Sequence, residues 1–313
     1  MNGAITLFST AVRGGRHVIA TGLLLLLPFA TQARDALRLV YADWSSSVAS
    51  AHVVCAVVRQ QLDRGCEAEQ VSVEEMYERV AQGKADAMLS AWLPDTHRDY
   101  MQRYAHQLDD LGPNFEGTRI GLVVPAVSPG RQTGADGARG RELLDIQSIA
   151  ELDDHAADFA HRIIGIEADT GIMRATRKAM EVYGLGQFRL VEGNESTMAT
   201  SLKDAIRHKQ PVVVTGWQPH WLFGRWALRF LDDPKGVFGK NGAIHTLVRP
   251  GLRRAMPRVY TLLDRFHWQS DQLGQLMVWI QADGGRDPAG QAERWLRTRG
   301  GIIEHWLGTQ VPE

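Results

Sequence analysis

The chain is poor in cysteine, with two in 313 residues. Neither cysteine stands in a C-x-x-C pair with histidine partners, so the spacing excludes a structural zinc site. It also lacks a charge of one sign, with 35 Lys and Arg against 36 Asp and Glu. Without a basic field there is no electrostatic argument for a nucleic-acid partner. No G-x-S-x-G elbow, H-E-x-x-H helix or phosphate-binding loop occurs, and no paired carboxylates stand beside a plausible base. The expectation is therefore a protein that is not an enzyme, with no cofactor and no metal. There is no repeat at a solenoid period and no long run of like charge. Past the N-terminus no apolar run approaches the ~20 residues that a spanning helix needs.

The N-terminus is different. Arg13 and Arg16 precede an apolar stretch at 18–30, and Thr31, Gln32 and Ala33 lead to the charged Arg34 and Asp35. An apolar core of about 13 residues is too short to span a bilayer but suits a secretory signal peptide. Residues 1–33 are expected to be that signal, with cleavage after Ala33 and no cysteine for a lipid anchor. The mature chain is then soluble and periplasmic.

An oxidising compartment would permit a bridge between Cys55 and Cys66. Taken as helix followed by turn, however, the eleven intervening steps put them on the order of 10 Å apart, whereas a bridge needs Cα atoms within about 7 Å. The spacing predicts two unbridged thiols.

Short β runs at 37–42, 68–73, 87–90, 120–124, 162–166, 187–191 and 211–215 alternate with helical periodicity at 48–62, from Ser72, from Thr170 and at 197–207. Ser72 and Glu75 form a capping-box pair. This alternation implies βαβ units, a mainly parallel sheet, and a ligand crevice at the carboxyl ends of the strands. Residues 129–141 hold four glycines and read as an exposed loop. Helices at 254–264, 270–282 and 288–299 close the chain, with Trp268, Trp279, Trp295 and Trp306 as packing residues.

Three other tryptophans sit in short polar motifs: Trp44 in A-D-W-S-S-S, Trp92 in S-A-W-L-P-D-T-H and Trp217 in T-G-W-Q-P-H-W. A lone tryptophan is more often core than ligand-binding. Three flanked by turn residues, each at a strand end, point instead to an aromatic cage for a quaternary ammonium ion. Such an ion has no ordinary hydrogen bond to donate.

At these motifs the chain resembles the substrate-binding proteins of glycine betaine, proline betaine and choline ABC importers. Residues 40–50 (VYADWSSSVAS), 89–97 (LSAWLPDTH), 111–125 (LGPNFEGTRIGLVVP), 164–173 (IGIEADTGIM), 214–223 (VTGWQPHWLF), 230–235 (FLDDPK) and 244–249 (IHTLVR) carry the resemblance. It implies an α/β, two-lobed type II periplasmic binding-protein fold with ligand in the cleft. One lobe is discontinuous (36–122 plus 240–313) and the other inserted (123–239), so that closure follows a hinge. It implies an ammonium cage of Trp44, Trp92 and Trp217, and a carboxylate end made by His97 with the Gly171 and Ile172 amides. The usual P-G-x-G-I-M pattern is replaced by Ala168-Asp169-Thr170-Gly171. Asp169 and Asp43 are acidic departures that suit choline if they face the ligand, and are plain turn residues if they face solvent. Asp169 could also cap the helix amides. Carnitine is a third ligand of the same class. The implied partners are a membrane permease and its ATPase, with the binding protein monomeric. An exported enzyme and a receptor sensing domain are the rival classes, the second disfavoured by the lack of a following membrane helix.

Overall fold

Strand β1 (Leu37–Tyr41) runs into helix α1 (Ser45–Gln61), whose residues are buried nearly all round. The structure is a computed structural model describing residues 36–126 and 146–308. Residues 1–33, expected to be a signal peptide, and the glycine-rich stretch 129–141 lie outside the described residues. α1 is buried all round because it is sandwiched between the sheet and two C-terminal helices. Its N-terminal serines are small enough to permit that approach. Ser47 Oγ lies 2.8 Å from Ser90 Oγ, and Ser50 Oγ donates to the Ser46 carbonyl at 2.8 Å. The three serines at 45–47 therefore belong to the helix rather than preceding it.

Strand β2 (Cys66–Gln70), helix α2 (Val73–Ala81), strand β3 (Ala87–Leu93) and helix α3 (Arg98–Tyr104) follow. The capping box at α2 forms as expected. Ser72 Oγ accepts the Glu75 N–H at 3.3 Å, and the Glu75 carboxylate accepts the Ser72 N–H at 3.0 Å. Strand β4 (Asp109–Pro125) is much longer than the run at 120–124, because Gly112 (φ 91°) and Gly117 (φ 79°) bend it without ending it. Both glycines lie in register shifts against a later strand, so the sheet curls there.

The remaining elements are strand β5 (Arg162–Ile164), helix α4 (Gly171–Tyr183), strand β6 (Arg189–Val191), helix α5 (Glu195–His208), strand β7 (Val213–Gln218), helix α6 (Leu222–Arg225), strand β8 (Leu228–Phe230) and strand β9 (Gly242–Val248). Helices α7 (Leu252–Ala255), α8 (Pro257–Arg265), α9 (Ser270–Ala282), α10 (Pro288–Leu296) and α11 (Gly300–Leu307) complete the chain. The strand order is β2-β1-β3-β9-β4-β7-β5-β6, with β8 also on β4. Pairings of β1 with β2 and β3, and of β5 with β6 and β7, are parallel, as βαβ units require. The strands joining these two half-sheets, β9 and β4, pair antiparallel with their neighbours. The N-terminal part of β4 belongs to the first half-sheet and its C-terminal part to the second.

Among the tail tryptophans, Trp268, Trp295 and Trp306 are buried against Phe266 and one another. Trp279 is half-buried beneath Arg294. The Trp268 indole N–H donates to Ser50 Oγ at 2.9 Å, which fixes the tail to α1.

One expectation fails. Cys55 and Cys66 form a disulfide, with Cα atoms 5.2 Å apart. The distance argument treated helix and turn as one straight path. The chain instead reverses at Asp63, whose φ is 47°, and β2 starts back alongside the last turns of α1. The steps spent leaving Cys55 are largely retraced before Cys66.

Candidate functional site

Trp44 follows β1, Trp92 lies near the end of β3 and Trp217 near the end of β7, so all three indoles stand at carboxyl ends of strands. The latter two remain within their strands, opposite Ile244 and Ile120 respectively. Each precedes a cis peptide by one residue, at Leu93–Pro94 and Gln218–Pro219. The structure brings the three into one cavity of roughly 320 Å³ including its mouth. Each indole is at least nine-tenths buried. His97, Gly171 and Ile172 line the same cavity, together with Thr96, Ile120, Ile166 and Thr170. Among the described residues, no Asp, Glu, Lys or Arg side chain is part of that lining.

His97 is 1% exposed. Its Nδ1 lies 3.1 Å from the Trp92 backbone N–H and 3.1 Å from the Tyr77 hydroxyl. An amide can only donate, so Nδ1 is the acceptor and the ring proton sits on Nε2. Burial, with help from the Arg174 guanidinium, lowers the imidazole pKa to about 3. His97 is thus a neutral donor in a cavity wall. It could donate to a carboxylate but not form an ion pair with one.

Gly171 and Ile172 open α4, and Thr170, the residue before them, makes no side-chain cap bond. Thr170 Oγ1 donates instead to the Glu167 carbonyl at 2.8 Å. First-turn amides carry no intrahelical partner and favour an anion. The helix end packs closely against α3's approach: a Cβ on Gly171 would lie 2.2 Å from the Thr96 carbonyl oxygen. Only glycine fits. Arg174 secures the same contact by donating to the Thr96 carbonyl at 3.4 Å, and it lies 3.4 Å from Asp99.

Asp43 and Asp169 are exposed and outside the lining. Asp169 does not cap α4. Both nevertheless bear on two carboxylates that sequence reasoning missed. Glu167 has its pKa raised by burial, then by Asp43, with the Trp44 side chain acting in the opposite sense. Asp43 is raised by partial desolvation and then by Glu195. Burial alone would raise Glu195 as well, but His220, the Ser45 N–H and Trp221 together hold it below its ordinary value. No local pattern marked Glu195 as special, because its partners lie far away in sequence. The signals for Thr96 and Ile166 were present, since both fall inside the tryptophan and glycine motifs.

His220 is buried with its ring centroid 4.5 Å from that of Trp217. Trp221 packs on His220 and Trp226 and is not part of the lining. Trp92 Nε1 is buried and has no hydrogen-bond partner among the described residues.

Residues 35–298 match the family model for the substrate-binding domain of ABC-type glycine betaine transport systems. The chain belongs to this family. It is 38% identical over 148 residues to the glycine betaine/carnitine transport binding protein GbuC of Listeria monocytogenes. That match takes in 47% of this chain and spans about half, 49%, of the length of that curated relative. Among solved structures it is similar to the glycine betaine/L-proline-binding protein ProX of Borrelia burgdorferi, with a TM-score of 0.77 and 32% identity over 89% of this chain and 97% of that one. Lactococcal OpuAC, solved closed and complexed with glycine betaine, gives 0.76 and 33% over 87% and 100%. The fold is the mixed α/β type II periplasmic binding-protein fold of this family. Its members are transport substrate-binding proteins, and no helix among the described residues is long and apolar enough to cross a membrane.

Proposed function

We propose that the protein is the exported binding component of an ABC importer, capturing glycine betaine and handing it to a membrane permease and its ATPase. The observation that carries this reading is the convergence of three buried indoles on a cavity also lined by His97 and the first residues of α4, Gly171 and Ile172. Trp44, Trp92 and Trp217 would surround the trimethylammonium group, each face contributing roughly 0.5–2 kcal/mol. The His97 Nε2–H and the Gly171 and Ile172 amides would receive the carboxylate. A zwitterion with a soft cation and a hard anion suits both ends. The lobes would be 36–122 with 240–313, and 123–239, closing on the ligand as a monomer after removal of residues 1–33 in the periplasm. No group here is assigned a catalytic step, and turnover of betaine or choline by purified protein would overturn that.

Choline is the second reading, because Glu167 and Asp43 stand near Trp44 and add negative charge at the cation's end. Calorimetric titration with glycine betaine, choline, carnitine and proline betaine separates them. Glycine betaine should bind most tightly, and His97→Ala should weaken it while changing choline little. Tight choline binding, with betaine hardly bound and His97→Ala silent for both, would replace the first reading by the second.

A further inference from the structure

Glu195 is a charged side chain whose residue is 93% removed from solvent, a costly arrangement unless its partners are well placed. They come from both half-sheets. From its own half, Trp221 Nε1 donates to Oε1 at 3.0 Å, and His220 Nε2 lies 3.3 Å from the same oxygen. The Leu222 N–H donates to His220 Nδ1 at 3.1 Å, so the ring turns its protonated Nε2 edge toward the carboxylate. From the other half, 150 residues earlier in the chain, the Ser45 N–H donates to Oε2 at 2.9 Å.

Ser45 is the first residue of α1. The residue before it is Trp44, which makes no side-chain cap bond to the helix. A helix start normally takes its cap from its own N-cap residue or from water. Here a carboxylate from the opposite half-sheet supplies it, at the positive end of the α1 dipole. The same carboxylate abuts His220, which packs edge-on against Trp217. One side chain therefore touches the amide next to one cage indole and the ring that braces another.

We propose that Glu195 is a positioning residue for the cage, capping α1 across the two half-sheets and so latching Trp44 against Trp217. The inference rests on the ligand-binding reading above. When the half-sheets part, this hydrogen bond opens beside the Arg174 contacts to Thr96 and Asp99, and water then satisfies both Ser45 and Glu195. Ligand cannot leave until this buried charge–amide bond breaks. The latch therefore acts on release rather than capture.

Ser45→Pro tests this at the amide itself. Proline is well accepted at the first helical position, and it replaces the N–H that crosses to Glu195 by a ring methylene, so the carboxylate must turn away. Trp44 already has the extended backbone, φ −116° and ψ 138°, that a residue before proline prefers. Ser45 Oγ has no hydrogen-bond partner among the described residues, so the hydroxyl is not missed. The measurement is stopped-flow tryptophan fluorescence with glycine betaine as probe, beside the melting temperature of ligand-free protein. Ser45→Pro should speed dissociation about tenfold, as loss of a charge-assisted bond implies. Association should stay within about threefold and the ligand-free melting temperature should hardly move. Glu195→Gln, which keeps an acceptor but not the charge, should speed dissociation too, and the double variant should be no faster than Ser45→Pro alone, because both act on the same contact. If Ser45→Pro does not fold, Glu195→Gln carries the test alone. Dissociation at the wild-type rate in the folded variants, or a faster rate matched by an equal fall in ligand-free stability, would overturn the latch. Wild-type protein that binds none of the four quaternary ammonium compounds would instead overturn the reading of the site, and the latch with it.

Discussion

His97 should make the protein acid-sensitive without making its binding acid-sensitive. In the unfolded chain its imidazole titrates near 6.5, but in the folded protein it stays neutral down to about 3. Between those values the unfolded chain takes up a proton that the folded one refuses, so stability falls as pH falls. The effect is fully absent above pH 6.5 and grows by about 1.4 kcal/mol per pH unit below it. At pH 5 this single residue should cost about 2 kcal/mol relative to pH 7.5. Urea denaturation at several pH values from 7.5 to 4.5 measures it. His97→Gln keeps an acceptor for the Trp92 N–H and removes the titration, so its profile should be flatter by that amount. Other groups contribute to the wild-type slope, among them His52, also lowered by burial and by Arg59. The difference between the two profiles isolates His97. Over the same range the folded protein's Nε2–H is unchanged, so affinity for glycine betaine should hold constant down to about pH 5. Parallel stability profiles for the two proteins would refute the neutral assignment. A betaine affinity that rose as pH fell through 6.5 would mean that His97 binds as a cation.

Trp44→Ala, Trp92→Ala and Trp217→Ala should each weaken betaine binding tenfold or more, since ~1.4 kcal/mol is a factor of ten. Trp279→Ala, packed beneath Arg294 outside the cavity, should leave affinity unchanged in the same titrations. Gly171→Ala should abolish binding by driving a methyl into the Thr96 carbonyl, 2.2 Å from the ideal Cβ position. A normal affinity for that variant would mean the two elements are not held in contact. Reducing the Cys55–Cys66 bridge, whose cysteines are 11 positions apart, should cost roughly 2.7 kcal/mol by loop-closure entropy. Urea titration with and without reductant measures the loss, while affinity should persist because Cys55 lies about 16 Å along α1 from Trp44.

The sequence made the tryptophan motifs legible because each carries its own turn chemistry, readable without any partner. The capping box at Ser72 and the helix at Ser270–Ala282 were legible for the same local reason. What escaped was set by distant contact. The part of β4 before Ile120, bent at Gly112 and Gly117, is fixed by its pairing with β9. Glu195 reads as an ordinary first-turn acid until Ser45, from the other half-sheet, is brought to it. The serines at 45–47 look like caps because polar residues favour helix starts, but they lie buried within the helix, Ser45 against Glu195 and Ser47 against Ser90. Helix α11 went unread, its two leading glycines arguing against a helix. The disulfide failed for a geometric reason, a reversal that no count of intervening residues can express.

The place of β9 bears on when the chain can fold. It lies between β3 and β4, yet its residues, Gly242–Val248, come more than 110 positions after the last residue of β4. Until it arrives, β3 and the first part of β4 have open edges and the first half-sheet stays unfinished. α1, meanwhile, waits for Trp268 and the helices that follow to cover it. A chain wired in this order gains little from collapsing early, since its longest-range pairings come last and set the rate. For a protein proposed to be exported, that delay is useful: the topology itself keeps the first half-sheet loose until nearly all of the chain has been made.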